Sequence, residues 1–433
     1  MATQQIAGAG GTTTSFSNTP QAQNDVFYFT EDSSGVLVLN VLANDLGGAA
    51  KQLYSIDDAT SASTATKTPA PTDLLVRDTT YSSDSVALNG TSAVLPTADK
   101  SALGARIWIS SDGTIHYNTA DINTLLQSLA QGQVITDKLT YAIQLGNGTL
   151  SWATTTIQFT GTNDKPVIGA ATLVGAVTED AHTPTETATG TIAFSDVDLT
   201  DVHLVSAVFK GTDYGGQLGS LAAVETADTT GTGSGGLITW TFTAADSALN
   251  QLAAGQTVHE TYTVTLDDQH GGVITRDIVI TITGTNDAPT ITAAGTNAAG
   301  SVVEDASTTP DLTDSLDAAG TVAFHDVDLI DSHTATFLPT AGETALGTFS
   351  LDPVSEAAGA ADGSVQWHYA LNNNAAQYLA AGQSVVEHYS VTVDDGNGGT
   401  ATQVVAITIT GTNDAATVSS DSKPVTEGDT AAA

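Results

Sequence analysis

A single phrase recurs along this chain and limits what it can fold into. A strand-like run followed by Gly-Thr-Asn-Asp occurs as QFTGTNDKPVI (158–168), ITGTNDAPTI (282–291) and ITGTNDAATV (409–418). Asn163, Asn286 and Asn413 stand 123 and 127 residues apart, and units of that size can each bury their own core. The chain therefore reads as three units, 21–164, 165–287 and 288–414. Residues 1–20 form a disordered or extended leading segment, and 415–433 begin a further, truncated repeat.

The copies align well beyond this phrase. Period-2 alternation marks YTVTLDD (262–268), YSVTVDD (389–395), RDIVITITG (276–284) and VVAITITG (404–411), each reading as a half-buried strand. DDQHGG and DDGNGG between the members of each pair are hairpin chemistry, and 140–161 repeats the pattern in the first unit. ALNQLAAGQ (248–256), AAQYLAAGQ (375–383) and TLLQSLAQGQ (124–133) each read as a short helix capped by Gly. With no βαβ rhythm, the fold class is all-β: tandem immunoglobulin/cadherin-like β-sandwiches in an elongated array, one short helix per repeat. The first unit differs, carrying a polar insertion at about 61–100 that reads as a long loop or added hairpin.

Charge narrows the partners. Ten Lys and Arg face 48 Asp and Glu, and the third unit has sixteen acidic residues with no Lys or Arg. Without a basic stripe to neutralise phosphates, nucleic acid is not expected as a partner, and anionic membrane surfaces are disfavoured for the same reason. No apolar run reaches membrane-spanning length. The absence of cysteine rules out disulfides and thiolate metal sites. The first thirty residues lack a secretory-signal pattern, which leaves the cytosol or export without an N-terminal signal.

The carboxylates stand at fixed stations. The second unit places them at Asp164 (after Asn163), Glu179-Asp180, Asp196-Val-Asp198 with Asp201, and Asp267-Asp268. The third repeats Asp287 (after Asn286), Glu304-Asp305, Asp326-Val-Asp328 with Asp331, and Asp394-Asp395. Asp414 and Glu427 continue the series. If 166–177 is strand A and 188–194 strand B, the linker Asp, the D-V-D pair and the hairpin Asp pair share one end of each sandwich. Glu179-Asp180 then fall at the other end, facing Asp287. Like charges about 4 Å apart repel by roughly 4 kcal/mol at an effective dielectric near 20, so the clusters require protons or cations. An all-oxygen, flexible, charge-rich site suits Ca2+. The bland alternative is that Asp, Asn and Gly merely form solvated turns.

These residues resemble a known family. The strand ending in ITGTNDAP, the V-T-E-D start, F-x-D-V-D-L-x-D and Y-x-V-T-V-D-D-G-x-G-G are similar to the VCBS repeat of very large bacterial surface proteins, including repeats-in-toxin adhesins. QAQNDVFYFTEDSSGVLVLNVLANDL (21–46) resembles the related bacterial cadherin-like domains. The resemblance implies a tandem sandwich array that binds calcium at its linkers, exported by a type I system to the cell surface. By that match, ligand roles fall to Asp164, Glu179, Asp196, Asp198, Asp287, Glu304, Asp326 and Asp328. The first unit departs from it, with Asn40 and Asn44-Asp45 replacing the D-V-D stretch and Leu145-Gly146 replacing the Asp pair.

Three functions compete at this level. The first is a calcium-stiffened extender of a bacterial adhesin or surface filament, serving adhesion and biofilm, with neighbouring repeats or like chains as partners. The second is calcium-dependent recognition of carbohydrate such as exopolysaccharide, placed in the first unit with Trp108 and Trp152 as platforms. Trp240 and Trp367, at equivalent apolar positions, are expected in the cores. The third, an enzyme, is disfavoured: paired carboxylates repeat in every unit, no acid is set against one base, and no H-E-x-x-H exists. His259-Glu260 and Glu387-His388 read as exposed strand positions.

Overall fold

The computed structural model describes residues 3–7, 13–17, 21–57, 73–78, 80–81, 99–179, 184–306 and 316–416. It is all-β, with helix confined to short turns. β1 (Thr3–Ala7) and β2 (Thr13–Ser17) pair as a hairpin, so the leading segment is extended and paired there. The first unit contains β3 (Asp25–Thr30), β4 (Val36–Leu39), β5 (Gln52–Asp57), β6 (Thr80–Tyr81), β7 (Asp99–Lys100), β8 (Arg106–Ser110), β9 (Ile115–Asn118), β10 (Val134–Gln144) and β11 (Leu150–Thr160). Its sheets run β3-β11-β10-β5 and β4-β9-β8-β6, with β7 added beside β8. The polar insertion is therefore no simple loop: its described ends supply β6 and β7 to a sheet, while 58–72, 79 and 82–98 lie outside the described residues.

In the second unit come β12 (Val167–Ala171), β13 (Val174–Thr178), β14 (Thr185–Ser195), β15 (Leu204–Thr212), β16 (Gly219–Ala227), β17 (Gly236–Ala245), β18 (Thr257–Asp267) and β19 (Val273–Thr283). They form sheets ordered β12-β14-β17-β16 and β13-β19-β18-β15. This is the A-B-E-D and A′-G-F-C order of an immunoglobulin-type sandwich. The third unit repeats it with β20 (Thr290–Ile291), β21 (Ala299–Val303), β22 (Asp317–His325), β23 (Thr334–Pro339), β24 (Gly347–Leu351), β25 (Ser355–Glu356), β26 (Asp362–Leu371), β27 (Ser384–Asp394) and β28 (Thr400–Thr410). Its sheets are β20-β22-β26-β24, with β25 beside β26, and β21-β28-β27-β23.

Strand A of the sequence reading is in fact two strands. β12 runs antiparallel to β14, then the chain changes sheet and β13 runs parallel to β19. Thr172 sits at the crossing, where its N–H bonds Thr191 O and its carbonyl accepts Trp240 Nε1 at 2.8 Å. Among the described residues the buried apolar side chains fall into three clusters, spanning Ala22–Phe159, Val177–Ile282 and Val302–Ile409. Trp240 and Trp367 are fully buried in the second and third, as their apolar strands require. Trp108 is also buried, at 3% exposure, which removes it as a sugar platform; Trp152 is half-buried.

Glu260 and Glu387 are buried as well, correcting the exposed reading. Glu260 lies in phase with Val258, Tyr262 and Val264 on the inner face of β18. Its carboxylate accepts the N–H groups of Leu218 and Gly219 and the Tyr262 hydroxyl at 2.6 Å. Glu387 does the same for Leu346 N and Tyr389 OH, and Asp137 for Leu103 N and Tyr117 OH. Each unit thus ties a connecting loop to strand F with one buried carboxylate. Glu260→Ala strands buried donors at about 1–3 kcal/mol each, so chemical denaturation should show the second unit weakened by a few kcal/mol while the third is unchanged.

The short helices span Asn123–Leu126, Asp246–Leu249 and Asn373–Ala376, one turn each. Gly132, Gly255 and Gly382 follow in a turn at φ of 79°, 73° and 76°. Their N–H groups bond the carbonyls of Gly161, Gly284 and Gly411, the glycines of Gly-Thr-Asn-Asp. A Cβ on Gly161 would lie 2.3 Å from Ala130 O, and one on Gly284 would lie 2.0 Å from Leu252 O. The phrase begins with glycine because no side chain fits between strand G and this turn.

Candidate metal centres at the linkers

The other letters of the phrase are placed as firmly as the glycine. At the first linker, Thr162 donates its N–H and its hydroxyl to Glu31 Oε1, at 2.5 and 2.7 Å. Asn163 Nδ2 donates to Asp268 Oδ2 at 3.0 Å, and Asp164 N to Asp198 Oδ2 at 2.9 Å. The second linker repeats these contacts. Thr285 N donates to Glu179 Oε2 (2.9 Å), Asn286 Nδ2 to Asp395 Oδ2 (3.1 Å) and Asp287 N to Asp328 Oδ2 (2.9 Å). The linker backbone is thereby held between carboxylates of the preceding and the following unit.

Two groups of carboxylate oxygens gather at the first linker. Glu31, Asp164 and Asp198 each place one oxygen within 4.8 Å of the others, and so do Asp196, Asp201 and Asp268. At the second linker Asp326, Asp331 and Asp395 form the counterpart of the latter group. Glu179 is 4% exposed, and Glu31, Asp198, Asp201 and Asp268 are at 0%. Among the described residues, several buried oxygens there have no hydrogen-bond donor: Glu31 Oε2, Asn163 Oδ1, Asp164 Oδ2 and Asp198 Oδ1 at the first linker, and Glu179 Oε1, Asn286 Oδ1 and Asp328 Oδ1 at the second. An acceptor buried without a donor costs about 1–3 kcal/mol, more when charged. Lys165, the residue after Asp164, is exposed, while Arg106 and Lys210 pair with Asp121 and Asp277.

The electrostatics follow from that burial. Burial pushes Asp198 and Asp328 up to about 7, and their aspartate neighbours add to the rise. Burial likewise raises Glu31, Asp164, Glu179, Asp201, Asp287 and Glu304, reinforced at each by a nearby carboxylate, except that His270 partly offsets the rise at Asp201. Asp268 and Asp395 go the other way. Burial works against them, but the Asn163 or Asn286 amide and the hairpin N–H groups hold both below the usual range.

Other expected ligands sit differently. Asp267 and Asp394 cap their own hairpins through Gln269 N and Gly396 N and stay outside the groups above, because strand alternation turns the neighbouring Asp268 and Asp395 inward instead. Glu304 N bonds Thr410 O, the place Glu179 takes against Thr283 O. Asp305 is buried beside Asn373 and Gln377, and Asp414 is exposed. Asp180 and Glu427 lie outside the described residues. Two residues escaped the sequence reading. Glu31 belongs to a Thr-Glu-Asp like that at 178–180, a signal present but unread. Asp246, at the start of the second unit's helix, raises both Glu179 and Asp287.

The upper end of the first unit is built otherwise. Tyr141 lies three residues before the end of β10, and its hydroxyl reaches Asp25 Oδ2 at 2.9 Å and both oxygens of Asp45 at 3.1 and 3.2 Å. Lys51 Nζ bonds the Asp45 carbonyl. At this station the first unit sets a phenol and an ammonium beside its aspartates, where the second unit gathers Asp196, Asp201 and Asp268. At the linkers, by contrast, the donor set is all oxygen, shared between units and short of hydrogen-bond donors, and these residues fit a hard divalent cation such as calcium.

No protein-family model matches the sequence, and no curated protein does. Solved structures similar to this chain include the Protocadherin Gamma B2 extracellular cadherin domains 3-6, at 12% identity over 72% of this chain and 66% of that one, with a TM-score of 0.30. Drosophila N-cadherin EC1-4 is 12% identical over 90% and 74%, with a TM-score of 0.28. Human CDH23 EC21-23 is 13% identical over 89% and 97%, with a TM-score of 0.33. Among the described residues no helix is long and apolar enough to cross a membrane.

Proposed function

We propose that this chain is a calcium-stiffened extender region of a bacterial cell-surface adhesin, with unit boundaries after Asp164, Asp287 and Asp414. The observation that carries the reading is the first linker. There Glu31 of one unit, Asp164 of the linker and Asp198 of the next unit bring buried, donor-poor carboxylate oxygens within 4.8 Å of one another. A bound divalent ion would supply the positive charge this arrangement lacks. The carboxylates then favour one linker geometry over the bent alternatives, because only that geometry brings both units' oxygens together. Repetition of the arrangement suits a spacer better than a catalyst. Export to the cell surface by a type I route follows from the family resemblance.

Small-angle scattering of the full chain across a calcium titration tests this. Eleven-residue strands rise about 37 Å, so three units end to end span roughly 110 Å. The maximum dimension should approach or exceed that with calcium, and the distance distribution should broaden in chelator. Identical curves in both, or metal analysis finding no calcium in replete protein, would end the proposal.

A further inference from the structure

The clusters contain one kind of group that the calcium reading does not use. His203 follows Asp196 by seven residues, and His333 follows Asp326 by the same interval. The His203 side chain is at 0% exposure, with Nε2 3.1 Å from Asp196 Oδ2 and Nδ1 2.7 Å from Asp228 Oδ1. His333 repeats this, with Nε2 2.9 Å from Asp326 Oδ2 and Nδ1 2.7 Å from Glu356 Oε2. The rings pack on Phe194 and Phe324 at centroid distances of 4.9 and 4.7 Å. The other oxygen of each aspartate accepts the N–H two residues on, from Asp198 at 3.0 Å and Asp328 at 2.9 Å.

Each ring here has a carboxylate oxygen within hydrogen-bond distance of both its nitrogens, so it bridges two carboxylates that lie on different segments. The far carboxylate is itself anchored in the second unit, where Asp228 accepts Thr229 N at 2.7 Å and Thr230 Oγ1 at 3.1 Å. A chain of contacts thus runs from an outer loop through the ring to the first aspartate of D-V-D. Each oxygen of that aspartate keeps a lone pair, while the carboxylate as a whole is held in one orientation.

We propose that His203 and His333 are positioning residues for the linker ions: each ties Asp196 or Asp326 to an outer-loop carboxylate and so holds that ligand in one orientation. The proposal rests on the calcium reading. It also assigns a role to the grouping of His203 with Glu225 and Asp228, whose ligand atoms lie within 4.8 Å of one another. In that grouping the ring bridges Asp228 and Asp196 and so serves as an outer support for the linker ligand.

Calorimetric titration of the full chain with calcium chloride tests it, together with His203→Gln, His203→Phe, His333→Gln and Asp228→Asn. Loss of a support behind a metal ligand lowers affinity about 10–100-fold. His203→Gln should do so at the first linker and His333→Gln at the second. His203→Phe, which keeps the packing on Phe194, should lose as much, and Asp228→Asn should weaken binding without touching a ligand. In nitrogen-15 spectra of the unmodified protein the ring signals of His203 and His333 should shift as calcium is added. This last readout holds even if a variant fails to fold. Wild-type affinity in the variants, or ring signals that calcium leaves unmoved, would overturn the positioning role while calcium binding stands. No calcium uptake by the wild type would remove both readings at once.

Discussion

Raising calcium to about 10 mM should lift the melting midpoint of this protein by on the order of 10 °C over the same protein in chelator. A ligand that binds only the folded state stabilises it by RT ln(1 + [L]/Kd). For extracellular-type calcium sites of about 0.1–1 mM, that is about 1.4–2.7 kcal/mol per site at this concentration. Two groups of oxygens gather at the first linker alone, so one unit boundary contributes about 3–5 kcal/mol. The units have no disulfide to share the load. Scanning calorimetry with calcium, magnesium and chelator checks it. Magnesium should give much less, since it holds its water and demands tighter geometry than these spread carboxylates offer. A midpoint that calcium leaves unmoved would remove the ion from the account.

What the sequence could reveal depended on whether the information was local. Hairpins around DDQHGG and DDGNGG, and the strands flanking them, were legible because turn chemistry and alternation lie within a dozen residues. The inward placement of Glu260 was also available, since it falls in phase with Val258, Tyr262 and Val264. A charged residue read on type and not on phase lands on the wrong face. The split of strand A was not legible. A continuous apolar run does not say which sheet each half joins, and Thr172 changes sheet only because Trp240 and Thr191 meet it from other strands.

The linker clusters were largely legible because their stations repeat in order, and repetition stands in for spatial knowledge. Glu31 needed only the first unit's Thr-Glu-Asp to be matched with the second's. The pairing of His203 with Asp228 was beyond reach, because those side chains meet across separate loops with no sequence signature. So was the meeting of Tyr141 with two aspartates at the first unit's upper end, which depends on one phenol reaching Asp25 and Asp45 together. Local rules place each charge; only the fold decides what answers it.

The answering charge should invert the protein's response to pH. Asp198 and Asp328 titrate near 7 in the folded state against an ordinary 3.8. Between those values the folded chain binds protons that the unfolded chain does not, so stability falls as pH rises. His203, drawn up to about 9 against its burial by Asp196 and Asp228, acts in the same direction, its contribution being present below its unfolded value and lost as pH rises through 9. Asp268 and Asp395, held low, lose their contribution only as pH falls below the ordinary carboxylate range. In chelator, then, acidification from pH 8 to pH 5 should stabilise the protein, each raised aspartate contributing up to about 1.4 kcal/mol per pH unit. In saturating calcium the trend should flatten or reverse, because protons compete with the ion for the same oxygens. Asp198→Asn separates the two regimes: it should raise the melting midpoint in chelator at pH 8 by relieving a buried charge, and lower it in calcium by removing a ligand. Urea unfolding at both pH values, with and without calcium, reads all four conditions. Destabilisation by Asp198→Asn in chelator as well would mean that the carboxylate is held by the protein alone and that no cation is needed to explain it.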